Sequence, residues 1–284
     1  MAMSRFCNHE NGSVMSKQIP FRISIIDYLN ATPLNYGFKH GLGFKYFHLK
    51  FHVPSICSDN LRNGDVDAGL ISSIEYLRIP DLKIVSGLCI ASPKRVRSVV
   101  LLSKVQPESI KSLALDTSSR TSVVLAQILL RERYRTEPIV TEMQPEIETM
   151  LAEHDAALLI GDTAMRVNRQ GLMVLDLAEE WYAWTGLPFV FALWAVRSDA
   201  PELDSPGGVV PFFHQSFKLG KENIENIIDE AWCSIGWTKQ ELRDYLTINL
   251  SHTLGEPEKE SLSLFFEKSV KMGFAAENRL MKFL

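Results

Sequence analysis

The chain has 284 residues, of which 46% are hydrophobic, 10% aromatic and 23% charged. This balance builds one large or two ordinary domains and excludes disordered, collagen-like and coiled-coil classes. A formal net charge of -4 offers nothing to a nucleic-acid partner, so a site for anions has to be made locally from helix N-termini and a few placed donors.

Residues 1–20 are polar and lack the apolar core of a secretory signal, and a loose extension is expected there. The chain reads as cytoplasmic: Cys7, Cys57, Cys89 and Cys233 are scattered without C-x-x-C spacing, which fits thiols in a reducing compartment better than a disulfide framework. The longest apolar runs, such as 189–196, are strand-sized and fall short of the ~20 residues a bilayer requires, so no membrane insertion is expected. A first strand at 22–26 ends in Asp27-Tyr28-Leu29-Asn30, and Thr32 and Pro33 open a helix. A second strand lies near 51–53. The helix at 58–63 is stopped by Gly64, and a third strand, 67–71, ends in Ser72-Ser73.

A second stretch repeats that order, implying two similar lobes. It reads as strand 112–115, a turn Asp116-Thr117-Ser118-Ser119-Arg120, helix 121–133, strand 138–141, helix 145–153 and strand 155–160, ending at Gly161-Asp162. Alternating strands and helices imply right-handed crossovers and an α/β protein with a mainly parallel sheet in each lobe. Apolar strands at 98–103 and 189–196 are the expected crossings. The resulting division is 21–103 plus 197–284 for lobe 1 and 104–196 for lobe 2, with the ligand cleft between them. From Pro206 onward the chain reads as helical, with Thr238-Lys239-Gln240-Glu241 as a capping box, and these helices are expected on lobe 1.

Ligands in open α/β sheets bind outside the C-terminal strand ends, which brings Asn30, Ser72, Ser118, Ser119, Gly161 and Asp162 toward one cleft. The segment from Asp116 through Arg120, Thr121 and Ser122 offers hydroxyls and free N–H groups at the start of a long helix; it suits a carboxylate or phosphate, or an ordinary helix cap. Asn30 suits either a turn or a site. Thr185 and Gly186 lead into the strand at 189–196 and fall where cleft residues belong. No Walker A pattern, dinucleotide fingerprint, Gly-x-Ser-x-Gly or His/Cys ligand spacing occurs, so neither a cofactor nor a metal is expected.

Four blocks carry a resemblance: Asp27-Tyr28-Leu29-Asn30-Ala31-Thr32-Pro33-Leu34, Ser118-Ser119-Arg120-Thr121-Ser122, Leu159-Ile160-Gly161-Asp162 and Trp184-Thr185-Gly186-Leu187-Pro188-Phe189-Val190-Phe191-Ala192. In this order they resemble the chorismate dehydratase family of the futalosine route to menaquinone. The resemblance implies the fold of type II periplasmic binding proteins. It also implies a hydro-lyase that converts chorismate, a small dianion, to 3-[(1-carboxyvinyl)oxy]benzoate without a cofactor, because aromatisation drives the loss of water. Its catalytic positions fall on Asn30 and Ser98, with Ser86 and Ser92 near the latter. The substrate's own enolpyruvyl carboxylate is implied as the proton acceptor. Two other readings stand beside it: a non-catalytic two-lobed protein that binds a small carboxylate, against which the missing secretory signal argues, and the sister cyclase of the same route, which takes a larger nucleoside-derived substrate.

Overall fold

The computed structural model describes residues 20–43, 45–202 and 207–284. The expected extension, apart from Pro20, and the start of the helical region at Pro206 lie outside the described residues. In chain order the strands are β1 (Phe21–Ile26), β2 (Phe47–His52), β3 (Ala68–Ser72), β4 (Leu82–Ser92), β5 (Val99–Ser103), β6 (Ser112–Asp116), β7 (Ile139–Met143), β8 (Ala156–Ile160), β9 (Met173–Asp176), β10 (Phe189–Arg197) and β11 (Ser251–Leu254). One sheet has the order β11-β4-β10-β3-β1-β2 and the other β7-β6-β8-β5-β9.

Strands joined through a helix pair in parallel, β1 with β2 and β3, and β6 with β7 and β8, as right-handed crossovers require. Into each sheet one antiparallel strand is inserted: β10 between β3 and β4, and β5 between β8 and β9. The orders β2-β1-β3-β10-β4 and β7-β6-β8-β5-β9 are therefore one pattern built twice, the repeat read in the sequence.

The strands expected as crossings are not linkers. Residues 99–103 form a central strand of the second sheet and residues 189–197 a central strand of the first, so division points at 103 and 196 place both strands in the wrong lobe. A strand apolar along its whole length is one buried on both faces inside a sheet, and both strands are buried along nearly their whole length. The chain crosses instead through 93–98 and through 177–188. The first of these segments is held by Asp176, whose carboxylate caps the helix Leu177–Thr185 and also accepts from Val96 N–H at 3.1 Å and Arg97 N–H at 2.5 Å.

The C-terminal helices pack on lobe 1 as expected. Helix Val210–Glu222 lies so close to helix Thr32–Lys39 that Ser216 Oγ donates to Leu34 O at 2.7 Å and accepts from Phe38 N–H at 3.2 Å. Gly220 makes this approach possible, since a Cβ there would stand 1.9 Å from the Pro33 carbonyl oxygen. Gly220→Ala is expected to destabilise the fold by ~1–3 kcal/mol, the scale of overpacking; a shifted denaturation midpoint with unchanged kcat per folded molecule is the check. The same region also reaches lobe 2, where Trp237 Nε1 donates to Met165 O at 2.8 Å and Lys268 pairs with Glu132 at 2.5 Å. The edge strand β11 stands in a stretch that reads as helical, because four residues without period-2 apolar alternation carry no strand signal.

Candidate active site

Between the lobes lies a narrow cavity of about 40 Å³. Of the residues expected there, Asn30, Ser72, Ser119, Thr121 and Gly161 line it. So do Ile26, Tyr28, Pro54, Ile90, Val99, Ser122, Ile160, Phe191 and Ala192, which the strand-end argument does not single out. Tyr28 and Ser122 sit inside the blocks already quoted, and the neighbours of a site residue in a tight turn were the available signal. None of the lining residues carries a charge.

Asn30 sits in the short 3-10 turn Leu29–Ala31 that runs into helix Thr32–Lys39, with Pro33 in its first turn. Several bonds hold the turn, among them Ala31 N–H to Tyr28 O at 3.0 Å, Thr32 N–H to Leu29 O, Leu29 N–H to Asp162 Oδ1 at 3.1 Å, and His252 Nε2 to Asn30 O at 2.8 Å. The Asn30 amide oxygen is buried without a partner. Such an acceptor costs about 1–3 kcal/mol, which a ligand donor removes. Beside it, burial pushes the Tyr28 hydroxyl up to about 12 against the opposing hydrogen bond to Ser118. At neutral pH Tyr28 is therefore a donor and not a base.

On the lobe 2 side, Asp116 is buried, and burial raises its carboxyl above the usual range even though Ser118 and Ile160 bond to it. Its Oδ1 accepts from Ser118 N–H at 2.8 Å and Ser118 Oγ at 2.5 Å. Thr121 reaches across the cleft: its Oγ1 is 3.2 Å from Ser73 Oγ and accepts from Ile74 N–H at 3.3 Å. Thr121→Ala is expected to raise KM about fivefold through loss of ~1 kcal/mol of closing energy; Thr121→Ser should restore it, and steady-state kinetics of the three proteins decide.

Several expected contact residues face elsewhere. Arg120 spans the lobes to Asp59, 2.8 Å from both carboxylate oxygens, and to the buried Glu75 at 3.1 Å; its charge is taken by these carboxylates. Ser118 serves the Asp116 turn, and Asp162, raised by burial, ties Leu29 across the cleft. Ser98 is fully buried behind the wall, its Oγ accepting from Tyr245 at 2.8 Å and its carbonyl from Gly161 N–H at 2.8 Å. Thr185 and Gly186 close the helix Leu177–Thr185. Thr185 Oγ1 donates to Trp181 O at 2.8 Å, and Gly186 is the left-handed cap at φ 75°, so the helix-end role wins at both. Among the described residues no three His, Cys, Asp or Glu side chains gather as metal ligands, and no helix is long and apolar enough to cross a membrane.

Two lobes of one repeated topology, two crossings and an interlobe cavity define a protein of the type II periplasmic-binding-protein class. Solved structures show the same fold: a protein of Archaeoglobus fulgidus superposes with a TM-score of 0.76 at 18% identity, covering 90% of this chain and 98% of the other. The alkanesulfonate-binding protein of Xanthomonas axonopodis pv. citri, bound to MOPS, gives 0.64 at 14% identity over 92% and 96%. A family model described as menaquinone biosynthesis matches residues 21–271. The chorismate dehydratase of Thermus thermophilus is 30% identical over 266 residues, 87% of this chain and 94% of the relative. That of Campylobacter jejuni is 34% identical over 172 residues, 59% and 63% of the two chains. The chain belongs to the menaquinone-biosynthesis family.

Proposed function

We propose that this chain is a hydro-lyase that converts chorismate to 3-[(1-carboxyvinyl)oxy]benzoate and water, the first committed step of the futalosine route to menaquinone. The observation that carries this reading is the unpartnered Asn30 amide oxygen, buried in an uncharged cavity of a chain related along most of its length to a chorismate dehydratase. The free thiols of Cys57, Cys89 and Cys233 support a cytoplasmic location.

The C3 proton of chorismate leaves, its electrons spread through the ring double bond onto the ring carboxylate, and the C4–O bond breaks. Proton and hydroxide form the water, and the ring becomes aromatic. No lining residue has a carboxylate, imidazole or amine, and Tyr28 stays protonated, which supports the substrate's enolpyruvyl carboxylate as proton acceptor. What remains for the protein is orientation and neutral hydrogen bonding: the Asn30 amide, which both donates and accepts, the Tyr28 hydroxyl, and the hydroxyls of Ser72, Ser119 and Ser122. Ser98 joins them as the second position of the family pattern. It lies behind the wall, where its Oγ accepts from Tyr245.

The cavity between the lobes is narrow, about 40 Å³, and we propose that chorismate enters by hinge motion about 93–98 and 177–188. The test is incubation of the purified chain with chorismate, following the absorbance of an aromatic product. Conversion is expected. Binding without turnover would support the non-catalytic reading, and turnover of a nucleoside-derived substrate instead would support the cyclase.

A further inference from the structure

We infer that His252 is a positioning residue for Asn30, fixing the peptide of the 3-10 turn and, through it, the side-chain amide in the cavity. The inference rests on the reading of Asn30 as the residue that meets chorismate.

His252 lies on β11, which pairs antiparallel with β4 through Ser251↔Ala91 and Thr253↔Leu88, and the register shifts between these two pairs. That irregularity sets two residues of β4, Cys89 and Ile90, opposite the single His252. The alternation of the strand turns His252 and Leu254 inward: Thr253 is exposed and Ser251 half-buried, while His252 keeps only 6% of its surface. The ring is covered by Phe217, with centroids 5.6 Å apart, and its Nε2 stands 2.8 Å from the Asn30 carbonyl oxygen. A carbonyl only accepts, so Nε2 carries the hydrogen and donates. Burial pushes the imidazole down to about 4 despite that bond, which keeps the ring neutral and in one tautomer at physiological pH.

An imidazole ring costs more to bury than the Leu or Phe that an edge strand on this sheet would otherwise place inward. Its hydrogen bond ends on the residue whose side chain is the unpartnered group in the cavity. The peptide plane of Asn30 is thus pinned by His252, in a residue that also lines the cavity.

The test uses the full chain with His252→Phe and His252→Gln. Glutamine can donate to the same carbonyl, and phenylalanine cannot. In His252→Phe, kcat should fall about tenfold with KM within about twofold, since small misplacements act on the chemical step; His252→Gln should recover most of it. The Asn30 side-chain amide resonances, identified by their loss in Asn30→Leu, should move in the Phe protein and return in the Gln protein. If the Phe protein does not fold, His252→Leu takes its place. Equal kcat losses in both variants, or wild-type kcat with unmoved resonances in a folded Phe protein, overturn the inference. If the unaltered chain does not convert chorismate, the functional reading falls by itself, and the amide resonances decide the role of His252.

Discussion

Asn30→Leu is expected to lower kcat by ~10²–10³-fold, or ~2.7–4 kcal/mol of transition-state stabilisation, the loss found when one preorganised donor is removed from a water-poor site. Asn30→Asp should fall at least as far, because it keeps the size but sets a negative charge beside a dianionic substrate. The competing role, a side chain that serves its own turn, predicts a lower melting temperature with turnover per folded molecule intact. The turn is held through Ala31 N–H, Leu29 N–H and the Asn30 backbone carbonyl, and none of these bonds uses the Asn30 side chain. Removing the amide should therefore leave the turn folded. A folded Asn30→Leu protein with retained kcat would reject Asn30 as a catalytic residue and leave the fold untouched.

Gly161→Ala is expected to cost about 10²-fold in kcat/KM by preventing full closure of the lobes, since displacements of about 1 Å at a reacting centre carry losses of that order. Gly161 follows β8 in lobe 2 at φ +59° and opens helix Gly161–Arg166, and a Cβ there would stand 2.8 Å from Tyr28 Cδ2 and 2.9 Å from Tyr28 Cε2, in lobe 1. The added methyl acts twice. Left-handed backbone costs an alanine about 1–2 kcal/mol, which lowers stability modestly, and the contact with the Tyr28 ring wedges the cleft. Solution scattering with saturating chorismate should then give a larger radius of gyration for the variant than for the unaltered chain. A variant that compacts normally and keeps kcat/KM within threefold would mean that the Tyr28 ring swings aside.

Much of the architecture is written locally. The two runs of strand, helix, strand, helix, strand, the capping box at Thr238 and Glu241, and Asn30 just after β1 are each encoded within a dozen residues, by apolar period and by capping chemistry. Those signals suffice for two similar lobes and for a cleft at their strand ends, because the crossover rule leaves few ways to assemble such units.

What the tertiary structure decided are the choices between partners far apart in sequence. An apolar strand such as 99–103 looks the same in either sheet, and only the pairing with β8 and β9 assigns it to lobe 2. Arg120 reads as an anion ligand until Asp59 and Glu75, 61 and 45 residues away, take its guanidinium. Thr185 and Gly186 show nothing in sequence to separate a cleft from the helix end they close. His252 gives no local sign of its place behind Asn30, 222 residues earlier in the chain. Periodicity and caps are short-range interactions of the backbone with its own side chains, whereas hydrogen bonds and ion pairs between lobes exist only once the sheets have brought those groups together.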